Sequence, residues 1–158
     1  MIKILFVCMG NICRSPSAEG IMKKIIKKEG LHEKIKCDSA GTIDYHEGES
    51  ADPRMIEHAE KRDYQLDSIA RQIIYEDLID FDYIITMDRE NYNDVISLDL
   101  SGKNNHKVSL MTDYCSKCKD KDVPDPYYSG REGFELVLNI LEDSCWGLLK
   151  HLRSKHSL

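Results

Sequence analysis

The chain has little that would hold it in a membrane. Its longest apolar stretch, near residues 4 to 9, falls far short of the roughly 20 residues that span a bilayer, and no basic start with a cleavage site precedes it. Aromatic residues make up only 8% of the 158 and the net charge is −6, so neither nucleic acid nor an anionic membrane is the expected partner. Any positive field must be local. Nucleotide-binding loops are missing too: no Gly-Lys-Ser/Thr follows a glycine at the ATP-loop spacing, and no GxGxxG occurs. The six cysteines come without an export signal and read as thiols rather than as a disulfide framework. Cys115-Ser116-Lys117-Cys118 has the spacing of half a zinc site, but no second pair and no suitably spaced histidines accompany it. It reads as a loop, and no metal or other cofactor is expected. His46, His58, His106, His151 and His156 show no ligand or triad spacing and read as surface residues. What remains is a soluble, cytoplasmic single domain over residues 1–158, large enough to bury its own core.

What is present is concentrated near the start. The apolar run Ile4-Leu5-Phe6-Val7 leads into Cys8-Met9-Gly10-Asn11-Ile12-Cys13-Arg14-Ser15, and Pro16 opens an amphipathic stretch. Strand, tight loop and helix N-terminus in that order aim backbone N–H groups and the positive end of a helix dipole at one anion-sized space. A cysteine at the head of such a loop is expected to act as thiolate, since helix N-termini and nearby cations favour that form. Arg14, six positions on, can grip two oxygens of a tetrahedral anion with its planar fork. Gly10-Asn11 permits positive φ inside the loop, and Ser15-Pro16 reads as N-cap and first helical residue. Together these residues suit nucleophilic transfer of a phosphoryl group without a metal.

Along the rest of the chain, strand-like and helix-like segments alternate. Lys3 to Val7, Ile35 to Ser39, Tyr83 to Met87 and Lys107 to Leu110 read as strands. Residues 16 to 29, 52 to 62, 88 to 95 and 131 to 150 read as helices, with Ala18, Ile21, Met22, Ile25 and Ile26 on one face of the first. Alternation of this kind predicts an α/β fold with a parallel sheet, helices on both faces and a ligand beyond the carboxyl ends of the strands.

The segment Val7 to Pro16 resembles the phosphate loop of low-molecular-weight protein tyrosine phosphatases almost residue for residue. Asp38-Ser39-Ala40-Gly41-Thr42, Ala70-Arg71-Gln72, Met87-Asp88-Arg89-Glu90-Asn91 and Val123-Pro124-Asp125-Pro126-Tyr127-Tyr128 are similar to later motifs of that family, in the same order. The resemblance implies a single-domain, three-layer fold with a four-stranded parallel sheet in the order 2-1-3-4. It implies hydrolysis of phosphotyrosine and small aryl phosphates, acid phosphatase activity among them, through a phosphocysteine on Cys8. Arg14 and the loop residues Met9, Gly10, Asn11, Ile12, Cys13 and Ser15 would bind phosphate. Asp125 is implied as general acid and base; read from the residues alone it is more simply a turn aspartate, and Asp120 and Asp122 lie on the same polar segment. Asn11 and Ser39 would hold the loop's shape, Asp88 would orient Arg14, and Tyr45, Tyr127 and Tyr128 would wall the cleft. Cys13 would resolve oxidised Cys8 as a disulfide. Phosphotyrosine proteins or peptides are the implied partners of a monomer, with weak self-association left open.

One departure and three rivals bear on this reading. Where many relatives have histidine three residues before the Ala-Arg-Gln arginine, this chain has Ser68. An arsenate reductase would need relay cysteines in another region than Cys115 and Cys118. A protein arginine phosphatase typically has threonine where Ile12 stands. A silent phosphoanion-binding module would lack the thiol or the acid.

Overall fold

The computed structural model describes residues 1–119 and 121–158, so Asp120 lies outside the described residues. In chain order the elements are β1 (Ile2–Cys8), α1 (Arg14–Lys28), β2 (Ile35–Gly41), α2 (Pro53–Glu60), α3 (Tyr75–Asp80), β3 (Tyr83–Thr86), α4 (Arg89–Ile96), β4 (Val108–Leu110) and α5 (Arg131–Lys155). The four strands form one all-parallel sheet in the order β2-β1-β3-β4. Because β1 is central and its register sets Cys8 beside Gly41 and Val7 beside Thr86, three strands deliver their carboxyl ends to one edge.

The continuous apolar run of β1 follows from burial on both faces. Ile4, Phe6 and Cys8 join the cluster formed with α1, α2 and α5, whereas Leu5 and Val7 face the cluster containing Leu78 of α3 and Val95 of α4. Phe6 is wholly buried, and truncating such a side chain costs about 3–5 kcal/mol. The strand is thereby fixed beneath the loop that it feeds. On α5, Phe134, Leu138, Leu141, Cys145 and Leu148 all turn inward at helical spacing. Gly147 lets that helix close on the 3-10 turn Met111–Tyr114, since a Cβ there would stand 1.8 Å from the Tyr114 carbonyl oxygen.

Several expectations are corrected. Helix α1 begins at Arg14 with Cys13 as N-cap, earlier than the Ser15 cap anticipated. The Ser15 hydroxyl is engaged with the Cys8 sulfur and the Asn11 amide instead. Pro16 remains in the first turn, where its missing N–H leaves no helical bond unmade. Helix α3 was not anticipated because six residues are too few to show a helical period. Cys115 and Cys118 are disulfide-bonded rather than free, their Cα atoms brought to 5.6 Å by a tight turn. His58 is buried, not superficial: it stacks on Phe134 with ring centroids 5.4 Å apart, and its Nδ1 lies 2.8 Å from Glu135. No helix of the described residues is long and apolar enough to cross a membrane.

Candidate active site

Cys8 ends β1 and is only 2% exposed. Its sulfur lies 3.0 Å from Ser15 Oγ and accepts the Asn11 backbone N–H at 3.2 Å. Ser15 Oγ accepts from Asn11 Nδ2 at 2.8 Å, which leaves the hydroxyl's own proton to point elsewhere; the nearest acceptor is the sulfur, with the Ala40 carbonyl at 3.4 Å. The Asn11 N–H thus donates to the sulfur, and the Ser15 hydroxyl lies within hydrogen-bond reach of it.

Asn11 pins the loop in a conformation most residues avoid. Its φ is +56°, in the left-handed region. Nδ2 also donates to Ser39 Oγ at 3.0 Å, while Oδ1 accepts the Arg71 N–H at 3.0 Å. Ser39 in turn donates to Glu19 Oε1 at 2.6 Å, and Glu19 Oε2 meets Lys23 at 2.5 Å. A buried polar chain therefore runs from the Cys8 sulfur through Ser15, Asn11 and Ser39 to Glu19. Gly41 lets β2 close on the loop, because a Cβ there would stand 2.7 Å from the Met9 carbonyl oxygen.

Arg14 is 3% exposed. Its Nη1 donates to Asp88 Oδ2 at 2.6 Å and to the Val123 carbonyl at 3.1 Å, and its Nη2 stands 3.6 Å from Asp125 Oδ2. Burial works against its charge, but Cys8, Asp88 and Asp125 more than offset that and raise its already high pKa. Asp88 serves two structures at once, capping α4 through Asn91 N–H with Oδ1 and holding Arg14 with Oδ2. Asp125 Oδ1 accepts the Tyr127 N–H at 3.0 Å, an Asx turn, which leaves Oδ2 toward Arg14. Asp122 is occupied differently: its Oδ1 accepts the Arg89 N–H at the start of α4.

A cavity of about 270 Å³ opens over this assembly. Cys8, Gly10, Ile12, Cys13 and Arg14 form its base, and Met9, Ile43, Tyr45, His46, Asp125, Tyr127 and Tyr128 its sides. Tyr45 and Tyr128 are 80% and 95% exposed, so both stand free at the rim. Ser39 and Asp88 are outside the lining and touch the site through Asn11 and Arg14. Burial, then Asp52 and Cys8, pushes the Cys13 thiol well up, and it is a neutral S–H near pH 7.

Five residues in this surrounding structure have no site role assigned from sequence. His46, expected at the surface, belongs to the cavity wall, its ring edge-on to Tyr45 with centroids 4.8 Å apart. Arg54 lies between the rings of Tyr127 and Phe134, at 5.3 and 5.0 Å, and anchors the Asp125 segment to α2 and α5. Glu19 and Lys23, at i and i+4, look like an ordinary surface pair. Arg71 bridges Asp38 and Asp77 while its backbone holds Asn11. Only Arg71 carried a signal, as part of the Ala70-Arg71-Gln72 motif.

Residues 3–158 match the family described as low molecular weight phosphotyrosine protein phosphatase. The chain belongs to that family. A low molecular weight protein-tyrosine-phosphatase of Bacillus subtilis, YfkJ, is 41% identical over 159 residues, covering 100% of both chains. The crystal structure of a protein tyrosine phosphatase from Entamoeba histolytica with Hepes in its active site superposes with a TM-score of 0.95 at 47% identity, over 98% of this chain and 99% of that one. A Drosophila arginine phosphatase structure superposes with a TM-score of 0.91 at 31% identity, over 98% and 100% of the two chains. As a low molecular weight protein tyrosine phosphatase by family, the chain is a hydrolase acting on phosphoproteins, with the four-stranded 2-1-3-4 sheet in common.

Proposed function

We propose that the whole chain, residues 1–158, is one phosphatase domain hydrolysing phosphotyrosine in proteins or peptides, and small aryl phosphates, through a phosphocysteine on Cys8. The observation that carries the reading is the placement of Asp125 Oδ2 3.6 Å from Arg14 Nη2 beside a cavity based on Cys8. Acid, phosphate grip and nucleophile thus share one small space. In the first step the Cys8 sulfur attacks phosphorus while the loop amides and Arg14 hold the equatorial oxygens, and Asp125 protonates the departing tyrosyl oxygen. In the second step Asp125 takes a proton from the attacking water, and sulfur leaves toward the Ser15 hydroxyl. Asp88 keeps Arg14 in place, and Asn11 with Ser39 keeps the loop in its left-handed turn. Tyr45, Tyr127 and Tyr128 offer faces to an aromatic ring. No metal or cofactor enters these steps. The protein acts as a cytoplasmic monomer, without nucleic acid or membrane as partner.

The fold is shared with an arginine phosphatase, so substrate class needs its own test. Aryl phosphate, phosphotyrosine peptide, phosphoarginine and arsenate are assayed side by side with chelator present. Turnover of the first two, well above the others, is expected. Preferential hydrolysis of phosphoarginine would assign the site to that amino acid despite Ile12, and no turnover at all would leave a phosphate-binding module.

Oxidation offers a second check on the loop. Mild peroxide is expected to inactivate the enzyme reversibly by linking Cys8 to Cys13, because a nearby thiol intercepts the sulfenic acid before irreversible steps. In Cys13→Ser, reductant should restore less activity. Equal recovery in both proteins removes Cys13 from this role.

A further inference from the structure

The pair Cys115 and Cys118 takes no part in the phosphatase chemistry, yet its surroundings are built. The turn that carries it wraps the carboxylate of Asp143 on α5: Oδ1 accepts the Ser116 hydroxyl at 2.7 Å, and Oδ2 accepts the backbone N–H groups of Ser116 and Lys117 at 3.1 and 2.9 Å. Burial favours the neutral acid there, but these bonds outweigh it and hold Asp143 below the ordinary carboxylate range. The Cys115 sulfur stands 3.1 Å from the same Oδ2. Cys118 has a different outlook. It borders a cavity of about 300 Å³ together with Lys117, Lys119, Leu136, Asn139, Ile140 and Asp143. Cys118 therefore opens onto a groove bordered by two lysines and by Asp143, whereas Cys115 lies against that carboxylate and is not part of the lining.

We propose that Cys115 and Cys118 form a thiol–disulfide couple, separate from the active-site loop, that exchanges with low-molecular-weight disulfides bearing carboxylates. In the reduced protein Cys118, flanked by two lysines, is the attacking sulfur, since thiolates beside cations are the ones that attack disulfides. It displaces RS⁻ from RSSR and forms Cys118–S–SR; the released RS⁻ takes up the Cys118 proton from solvent. Cys115, its proton given up to solvent, then attacks the Cys118 sulfur, and the second departing RS⁻ takes up a proton from solvent. One external disulfide becomes two thiols as one protein disulfide forms. The lysines meet the carboxylates of the small disulfide, and Leu136 with Ile140 supplies an apolar floor.

The same three side chains are spaced to hold a cation, with ligand atoms within 4.8 Å of one another. The hydrogen bonds argue against that use. Both Asp143 oxygens already accept protein donors, and the Cα separation of 5.6 Å suits a disulfide.

The test incubates reduced full-length protein with oxidised glutathione, a disulfide of carboxylate-bearing tripeptides, and reads the products by mass spectrometry. Trypsin cuts after Lys117, between the two cysteines, so the oxidised parent is expected to yield two peptides linked until reductant is added. Cys115→Ser should trap one glutathionyl group on Cys118, while Cys118→Ser should label Cys115 about tenfold more slowly, because Cys115 does not border the groove. Retained aryl phosphatase activity shows that both variants fold. Equal labelling of the two variants, or a parent whose Cys115 and Cys118 stay open to alkylation, overturns the proposal. So does one tightly held equivalent of Zn²⁺ that protects both cysteines until chelator is added; that result would make the cluster a metal site.

Discussion

Cys8→Ser is expected to lose aryl phosphate hydrolysis on the order of 10⁴–10⁶-fold in kcat, the scale on which removing a covalent nucleophile acts, while still binding a phosphate analogue such as tungstate. The two effects separate because they reside in different atoms. Binding uses the loop amides and Arg14, and Arg14 is held by Asp88 and the Val123 carbonyl, neither of which touches the sulfur. Turnover needs an ionised nucleophile, and a serine hydroxyl at this position would have the Ser15 hydroxyl and the Asn11 N–H as its hydrogen-bond neighbours, neither of them a base. Analogue affinity, followed by calorimetry, should stay within about tenfold of the parent, or ~1.4 kcal/mol. Near-normal hydrolysis by Cys8→Ser would refute a phosphocysteine; lost analogue binding would show that the sulfur shapes the loop. Cys13→Ser makes the contrast, since its buried neutral thiol has no part in either step and the variant should keep substantial activity.

The loop from Cys8 to Arg14 is legible in sequence because its chemistry is contiguous. A strand, a glycine-asparagine turn and a helix start suffice to predict where its anion sits. Strand order is not legible in that way, since alternation of strands and helices is compatible with several parallel orders, and 2-1-3-4 came from the family motifs. The partners of the loop are harder still. Asp88 and Asp125 stand 74 and 111 positions beyond Arg14 in the chain, and only the sheet edge brings them together. Glu19 illustrates the opposite problem: on a helix wheel it makes an i, i+4 pair with Lys23, and only the neighbouring strand carrying Ser39 turns that pair into the end of a buried network. His46 and Arg54 owe their positions to how the segments after β2 and around α2 fold over the loop. Their residue types carry no spacing that would reveal it. Ser15 has the residue type and place of an N-cap, but its hydroxyl is buried beside the Cys8 sulfur and the Asn11 amide, contacts that a helix-start pattern does not reveal.

Asp125→Ala is expected to slow substrates with poor leaving groups far more than those with activated ones. A tyrosyl oxygen leaving as an anion needs a proton in the transition state, whereas an acidic phenol departs unaided. General acid help is typically about 10²–10⁴-fold, so the loss should approach that range for phosphotyrosine and shrink for p-nitrophenyl phosphate. The geometry favours this residue over its neighbours. Asp125 Oδ2 points toward Arg14 at the cavity, while Asp122 is committed to the Arg89 N–H. Removing Asp125 also removes a carboxyl group 3.6 Å from Arg14, which should tighten the binding of phosphate itself and so lower KM together with kcat. Any deficit left with the activated substrate reports the second task, deprotonating water as it attacks the phosphocysteine. A pre-steady-state burst of phenol appears if that step becomes limiting, and its absence places the limit in phosphorylation. Measured across a series of phenols, the parent should show a shallow dependence of the phosphorylation rate on leaving-group pKa and the variant a steep one. Parallel slopes would exclude Asp125 as the proton donor and transfer the search to the rest of the segment between Cys118 and Tyr128.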